Sequence, residues 1–461
     1  MTYVASQILL AHLRHLSRQE LADRLHAVRA LSAVRGLRFL DDDGRPRTIE
    51  LALTPWLLTT AQVAFFRRVG ELLADALARL PHLYAHVPAV RRILPFTETQ
   101  ESWLRLAAVP RGRPLAVLGR LDSTATFQHH GWRETFRMLE SNTVGVGGVH
   151  YAPTACAVLL DVLADVFHRA FPGRRVVPMP DPRGLLLGEL RHVGRRLGRR
   201  LRGVALIENT DYTTGTDEFG YLARALAREG LPAVVTDPRA LRLAGGRILA
   251  EGHEVDLLYR DCELNEFIEM EQDGRSLRAV RRAVREGRLV SGLSWEFDHK
   301  SCWELFTDAT YARHFTPGQR AFFRAALPWT RLVRAAVVSD SGGRRVDLPR
   351  YIRRHQAQLV LKPNTLYGGQ GVVVGSTVTR AVWERTLAKA LRGRTRYVVQ
   401  TKARIHTDRL VVLDGDRPRE VERSVVSGFF FNSSGIGLIG RFSAQPVVNV
   451  SRGGGLVAAL M

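Results

Sequence analysis

Residues 358–374, "QLVLKPNTLYGGQGVVV", constrain this chain more than any other stretch. Strand-forming residues flank three glycines, Gly368, Gly369 and Gly371, that fall within four positions. The segment therefore reads as two antiparallel strands joined by a glycine-rich loop. It is not a Walker loop, because no GK[ST] follows the glycines and no helix opens after them. Backbone N–H groups in such a hairpin can lie over phosphate oxygens without obstruction from Cβ atoms. Lys362 on the incoming strand, with Asn364 at its end, stands where phosphate charge would be neutralised. Taken alone, the loop fits a plain β-turn with an incidental lysine equally well.

The identity of the basic residues adds weight to that lysine. The chain holds 67 Lys plus Arg and a formal charge of +22, yet lysine occurs only at Lys300, Lys362, Lys389 and Lys402. Arginine used this uniformly has the look of a codon bias, and it dilutes the nucleic-acid signal that such a charge carries. The surviving lysines mark places where a compact ammonium is needed. "RYVVQTKA" (396–403) reads as a buried strand whose polar end, with Gln400 and Lys402, suits an adenine edge. "FDHKSCWELF" sets Lys300 at the start of a helix, where dipole and ammonium together favour an anion. Lys389 reads as an exposed helix position.

A second set of polar residues comes much earlier, in "GRLDSTATFQHHGWRETFRMLESNTVGVGG". Arg120 and Asp122 are spaced Arg-x-Asp on one expected strand, and Glu140 and Asn142 are spaced Glu-x-Asn on the next. Residues two apart on a strand share a face, so all four converge if the strands pair. Hard oxygen ligands of this kind suit Mg²⁺ held against phosphates. His129 and His130 between them read as surface residues.

Together these segments resemble the circularly permuted ATP-grasp ligases, among them eukaryotic-type glutathione synthetase and glutathionylspermidine synthetase. "LVLKPNTLYGGQGVVVG" and "YVVQTKA" look like the nucleotide-binding half, and "DHKSCWELF" resembles the family's Asp-Asn-Lys segment with His299 in place of asparagine. The metal motif precedes the lysines, as in the permuted members. After Lys362 the chain reads Pro363-Asn364-Thr365-Leu366, without the acid that glutathione synthetase carries there. The nearer resemblance is thus to the glutathionylspermidine synthetase-like branch.

The resemblance implies ATP and Mg²⁺ as cofactors. Lys300, Lys362, Asn364, Gly368, Gly369, Gly371, Gln400 and Lys402 would bind the nucleotide, and Asp122, Glu140 and Asn142 the metal. Arg120 and Arg452 would be the catalytic cations. The small-residue run Ser451–Gly455 is similar to a lid over the substrate. The implied activity is an ATP-dependent carboxylate–amine ligase working through an acyl phosphate, on a small-molecule or peptidyl carboxylate and an amine. A phosphotransferase and a non-catalytic nucleotide-binding subunit are the alternatives on that fold. The charge alone leaves open an acidic partner, tRNA or other nucleic acid.

The rest of the chain sets the organisation. Residues 1–110 read as mostly helical, and 111–200 as the metal-binding half. Residues 201–290 read as an open α/β substrate domain, and 291–461 as the nucleotide-binding half with the lid. The α/β reading rests on "VALIENT", "DEFGYLARALAREG", "PAVVTDP" and "EVDLLYRD", which spell strand, helix, strand, strand. No GxGxxG follows the first strand, which disfavours a dinucleotide fold. "WRETFRMLESN" reads as strand, and the C-terminus as strand, turn, strand, then a small-residue loop. The basic run 191–203 reads as a solvated helix face before a domain boundary. Three scattered cysteines, no apolar run of ~20 residues and no leader-like N-terminus point to a cytoplasmic protein.

Overall fold

A computed structural model of the chain describes residues 2–41, 43–107, 118–125, 127, 131–211, 215–366, 368–445, 448, 450 and 453–461. Its centre is a six-stranded antiparallel sheet. Along it lie Gly455–Val457, Ile436–Ser443, Arg417–Phe431, Gly119–Ser123 and Met138–Asn142, and His406–Asp414 also pairs with the long Arg417–Phe431 strand. The two early strands are thus built onto one encoded about 300 residues later. Period-two alternation explains the faces: Gly119, Leu121 and Ser123 are buried while Arg120 and Asp122 lie half-buried on the opposite face.

A second sheet carries the glycine hairpin. Thr330–Leu332, Tyr397–Thr401, Leu359–Pro363 and Val373–Val374 run in that order, all antiparallel. Its far face packs on Trp329, Trp383, Leu387 and Ile352 as a separate apolar cluster. The third sheet is parallel, Leu289–Val290, Leu257–Arg260, Val204–Ile207 and Ala233–Thr236, and the helix Phe219–Arg228 makes the crossover expected of a βαβ unit. Helices Leu264–Gln272 and Arg278–Arg285 cover it.

The N-terminal segment is helical at Thr2–Arg14, Arg18–Val34 and Thr60–Leu77, with short strands Arg38–Leu40, Pro46–Thr48 and Trp56–Leu57 between. Leu9, Leu13, Leu25 and Val28 share a core with Val411, Phe430, Ile439 and Leu460 of the chain's far end. Trp56–Leu57 also pairs in parallel with Ala459–Leu460. No single helix among the described residues is long and apolar enough to cross a membrane.

Two expectations need correction. Trp132–Thr135 is a single helical turn, and the strand begins only at Met138. The residues around Gly131 explain this, since its φ of +75° starts the turn in a conformation that favours glycine. The C-terminus is not a small-residue loop to its end: Gly455–Val457 and Ala459–Leu460 are buried strands. Apolar Leu456, Val457 and Leu460 drive that burial. Ser451 and Arg452, the proposed lid residue and cation, lie outside the described residues, as do His129 and His130.

Candidate functional site

The early and late motifs meet across one cleft. In the central sheet Arg120 pairs with Asn142 and Asp122 with Glu140, so the four polar side chains share a face. A β-bulge follows, because Ser123 pairs with Met138 and leaves Leu139 as the extra residue. From the other side Lys300 places its Nζ 2.9 Å from Glu140 Oε1 and donates to the Leu366 carbonyl at 2.6 Å. Lys362 Nζ sits 3.5 Å from the carbonyl of the bulged Leu139 and 2.7 Å from Gln400 Oε1.

The glycine hairpin follows directly on the strand that carries Lys362. Gly368, Gly369 and Gly371 all have φ between +64° and +72°, a conformation that favours glycine. Asn364 is buried and ties the strand end to the lysine segment: its Oδ1 accepts from Ser301 N at 2.8 Å and its carbonyl from Lys300 N at 3.2 Å. The helix after Lys300 begins only at Cys302 and spans six residues. Gln400 is buried, and its Nε2 donates to Thr330 Oγ1. Lys402 lies exposed beyond the strand, bonded to Ser376 Oγ at 3.0 Å. The structure therefore gathers Glu140, Asn142, Lys300, Lys362 and Asn364, sets Gln400 behind Lys362, and leaves Lys402 at the periphery.

Electrostatics set the two walls apart. Burial, aided by neighbouring Lys300, pushes the Lys362 ammonium down to about 8 against the opposing pull of Glu140 and Asp122. Burial alone would raise Asp122, but Arg120 and Arg441 outweigh it and hold the carboxylate below its ordinary range. Arg120 Nε reaches Asp122 Oδ1 at 3.0 Å and Arg441 Nη2 reaches Oδ2 at 2.8 Å. Gly428 makes that crossing possible. It sits opposite Asp122, and a Cβ there would stand 3.2 Å from Arg120 Cδ and 3.3 Å from Asp122 Oδ1.

Sequence reasoning missed Arg441. The available signal was a lone arginine in the otherwise apolar, buried strand "IGLIGRFS".

The cleft encloses about 590 Å³, including the space at its open mouth, and Glu140, Asn142, Glu263, Glu296, Asp298 and Lys300 are among its walls. Glu296 is paired with Arg260, whose side chain is fully buried. Asp298 accepts from Thr143 N at 2.7 Å; burial and then Glu296 push its carboxyl up to about 7. Glu263 is likewise driven well up by burial and its acidic neighbours. His299 packs on Phe96 with the rings tilted by 45° and 4.7 Å between centroids, and burial brings its imidazole down to about 4, so the ring is neutral at neutral pH. Asp298 belongs to the segment already matched to Asp-Asn-Lys, whereas Glu263 and Glu296 did not stand out in the sequence, because only tertiary packing puts them beside Glu140.

Among the described residues no group of three or more His, Cys, Asp or Glu is arranged to hold a metal ion. Mg²⁺ needs less, one or two carboxylates with phosphate and water oxygens completing the shell. Glu140 and the amide oxygen of Asn142 offer that; the Asn142 amide nitrogen, buried without a hydrogen-bond partner, is a donor and suits an anionic oxygen beside the ion, not the ion itself. The residues present therefore fit a magnesium ion. Asp122, the third candidate, shares its oxygens between two guanidinium groups.

No protein-family model and no curated protein sequence matches the chain. Among solved structures it is similar to a glutathione synthetase-like effector from Globodera pallida in the apo form, at TM-score 0.65 and 11% identity, over 96% of this chain and 98% of that one. A putative gamma-glutamylcysteine synthetase from Methylobacillus flagellatus overlaps 84% of each chain at 11% identity, with TM-score 0.37. A RimK-domain ATP-grasp protein from Sphaerobacter thermophilus overlaps 54% of this chain and 91% of its own at 13% identity, with TM-score 0.25. Scores that low carry no weight beside the first. This chain shares the fold of that glutathione synthetase-like protein.

Proposed function

We propose that the protein is an ATP-dependent carboxylate–amine ligase of the circularly permuted ATP-grasp type, forming an amide through an acyl phosphate. The observation that carries the reading is the 2.9 Å approach of Lys300 to Glu140, with Lys362 against the same strand. Early Glu140 and Asn142 and late Lys300 share one cleft, with Lys362 against the strand that carries Glu140, on a fold shared with a glutathione synthetase-like protein; these support the reading.

In this reading Lys300 and Lys362 hold the triphosphate oxygens beneath the hairpin. Glu140 and Asn142, with Asp122 behind them, are the residues that would hold Mg²⁺. When bound, the ion supplies the positive charge that a wall of carboxylates lacks toward a polyphosphate. Arg120, fixed by Asp122 and by the Gly147 carbonyl at 2.6 Å, stands ready for charge that develops on the transferred phosphoryl group or on the oxyanion. The chemistry is mostly positioning and charge stabilisation, so it needs no nucleophilic side chain.

The test is a screen for ADP release over pairs of carboxylic acids and amines with Mg-ATP. A ligase releases ADP only when both members of a pair are present and yields the amide by mass spectrometry. ADP formed with a hydroxyl or guanidino acceptor and no amine would make it a phosphotransferase instead. Lys362→Ala and Glu140→Ala should each abolish ADP formation while the circular-dichroism spectrum stays unchanged; full turnover in either variant defeats the site assignment.

A further inference from the structure

We infer that Glu218 is a positioning residue for Arg120, acting through the single peptide group between Gly147 and Gly148. The inference rests on the ligase reading, in which Arg120 meets the reacting phosphoryl group. Arg120 Nη1 donates to the Gly147 carbonyl at 2.6 Å, and Gly148 N donates to Glu218 Oε1 at 2.6 Å. Those two atoms are the opposite ends of one planar amide, so a carboxylate that holds the N–H also aims the C=O.

The restraint is needed because of the residues that flank the bond. With glycine on both sides, no Cβ opposes a flip of this peptide, which would turn the carbonyl away from Arg120. Gly148 is already at φ +97°, in a region that favours glycine. Glu218 supplies what the side chains do not. Its second oxygen accepts from His150 N at 2.8 Å, immediately before the helix Tyr151–Val162, so one carboxylate pins both ends of the turn. Glu218 is only 3% exposed, its two oxygens are taken up by the two loop amides, and the Arg120 guanidinium acts on it only through its charge. A buried carboxylate spent wholly on two loop amides is costly to keep unless the loop geometry matters.

The test compares wild type with Glu218→Gln, which keeps the shape but turns an NH₂ group onto one of the two amides. Hydrogen exchange of the 143–150 segment, followed by mass spectrometry without substrates, should accelerate at Gly148 or His150. Turnover should fall about ten- to a hundredfold with KM for ATP unchanged. In a double-mutant cycle with Arg120→Lys, the Glu218→Gln effect on kcat should largely vanish, because both changes act on one group. Unaltered exchange, or accelerated exchange with full kcat, overturns the inference, and so does strict additivity with Arg120→Lys. A wild type that releases no ADP with any acid–amine pair defeats the ligase reading instead. The exchange comparison then decides alone whether Glu218 restrains the loop.

Discussion

Lys362 offers the sharpest quantitative handle on the cleft. Its ammonium is brought down to about 8 chiefly by burial, so at pH 8 about half the molecules lack the proton. A polyphosphate oxygen within ~4 Å, at an effective dielectric of ~20, favours the charged form by about 4 kcal/mol, close to three pKa units. That is enough to return the group to the ordinary lysine range. Nucleotide binding should therefore take up about half a proton per site at pH 8 and about a tenth at pH 7.

Titration calorimetry with a non-hydrolysable ATP analogue and Mg²⁺, in buffers of different ionisation enthalpy, measures that number. Asp298, raised to about 7, and Glu263, also raised by burial, gain protons under the same negative field, so the experiment is read in an Asp298→Asn, Glu263→Gln background. Lys362→Arg should bring the uptake near zero while some affinity survives, because guanidinium stays charged at every accessible pH. Binding without proton uptake at pH 8, or uptake that persists in Lys362→Arg, refutes the placement of Lys362 at the phosphates.

Two further outcomes follow from the same geometry. Gly428→Val puts side-chain atoms where Arg120 Cδ and Asp122 Oδ1 already lie within about 3.3 Å of a Cβ, so turnover should collapse. The cost in stability should stay at the ~1–3 kcal/mol of an overpacked site, checked by kcat beside a thermal melt. Asp122 has a folded pKa below its unfolded value, so its contribution is complete above the ordinary aspartate range and is lost as pH falls through the folded pKa. Urea unfolding should find Asp122→Asn about 2 kcal/mol less stable at pH 7 and closer to wild type near pH 3, and a gap independent of pH contradicts the ion-pair account.

How much of this was legible beforehand depends on the range of the interaction. Arg-x-Asp and Glu-x-Asn are period-two patterns, and a strand must put each pair on one face. What the pattern left open was register, and the observed pairing of Asp122 with Glu140 settles it. The glycine hairpin and the parallel βαβ unit were equally local and equally readable. The misreadings at Trp132–Thr135 and at the C-terminus lie next to glycines or small residues, where local preference is weak and tertiary contacts decide.

The parts that escaped notice are those held by contacts across hundreds of residues. Nothing in the composition of "GLIGRFSAQ" announces that Arg441 reaches over Gly428 to Asp122, because that depends on Arg417–Phe431 lying between the two strands. The same holds for most of the acidic wall: Glu263 and Glu296 belong to segments whose neighbours appear only when the parallel sheet docks beside the central one. The consequence reaches the chemistry. A chain with a formal charge of +22 presents carboxylates, not cations, over much of its cleft. Its overall charge therefore says little about the ligand, and the local field at Lys300 and Lys362 decides which anion can enter.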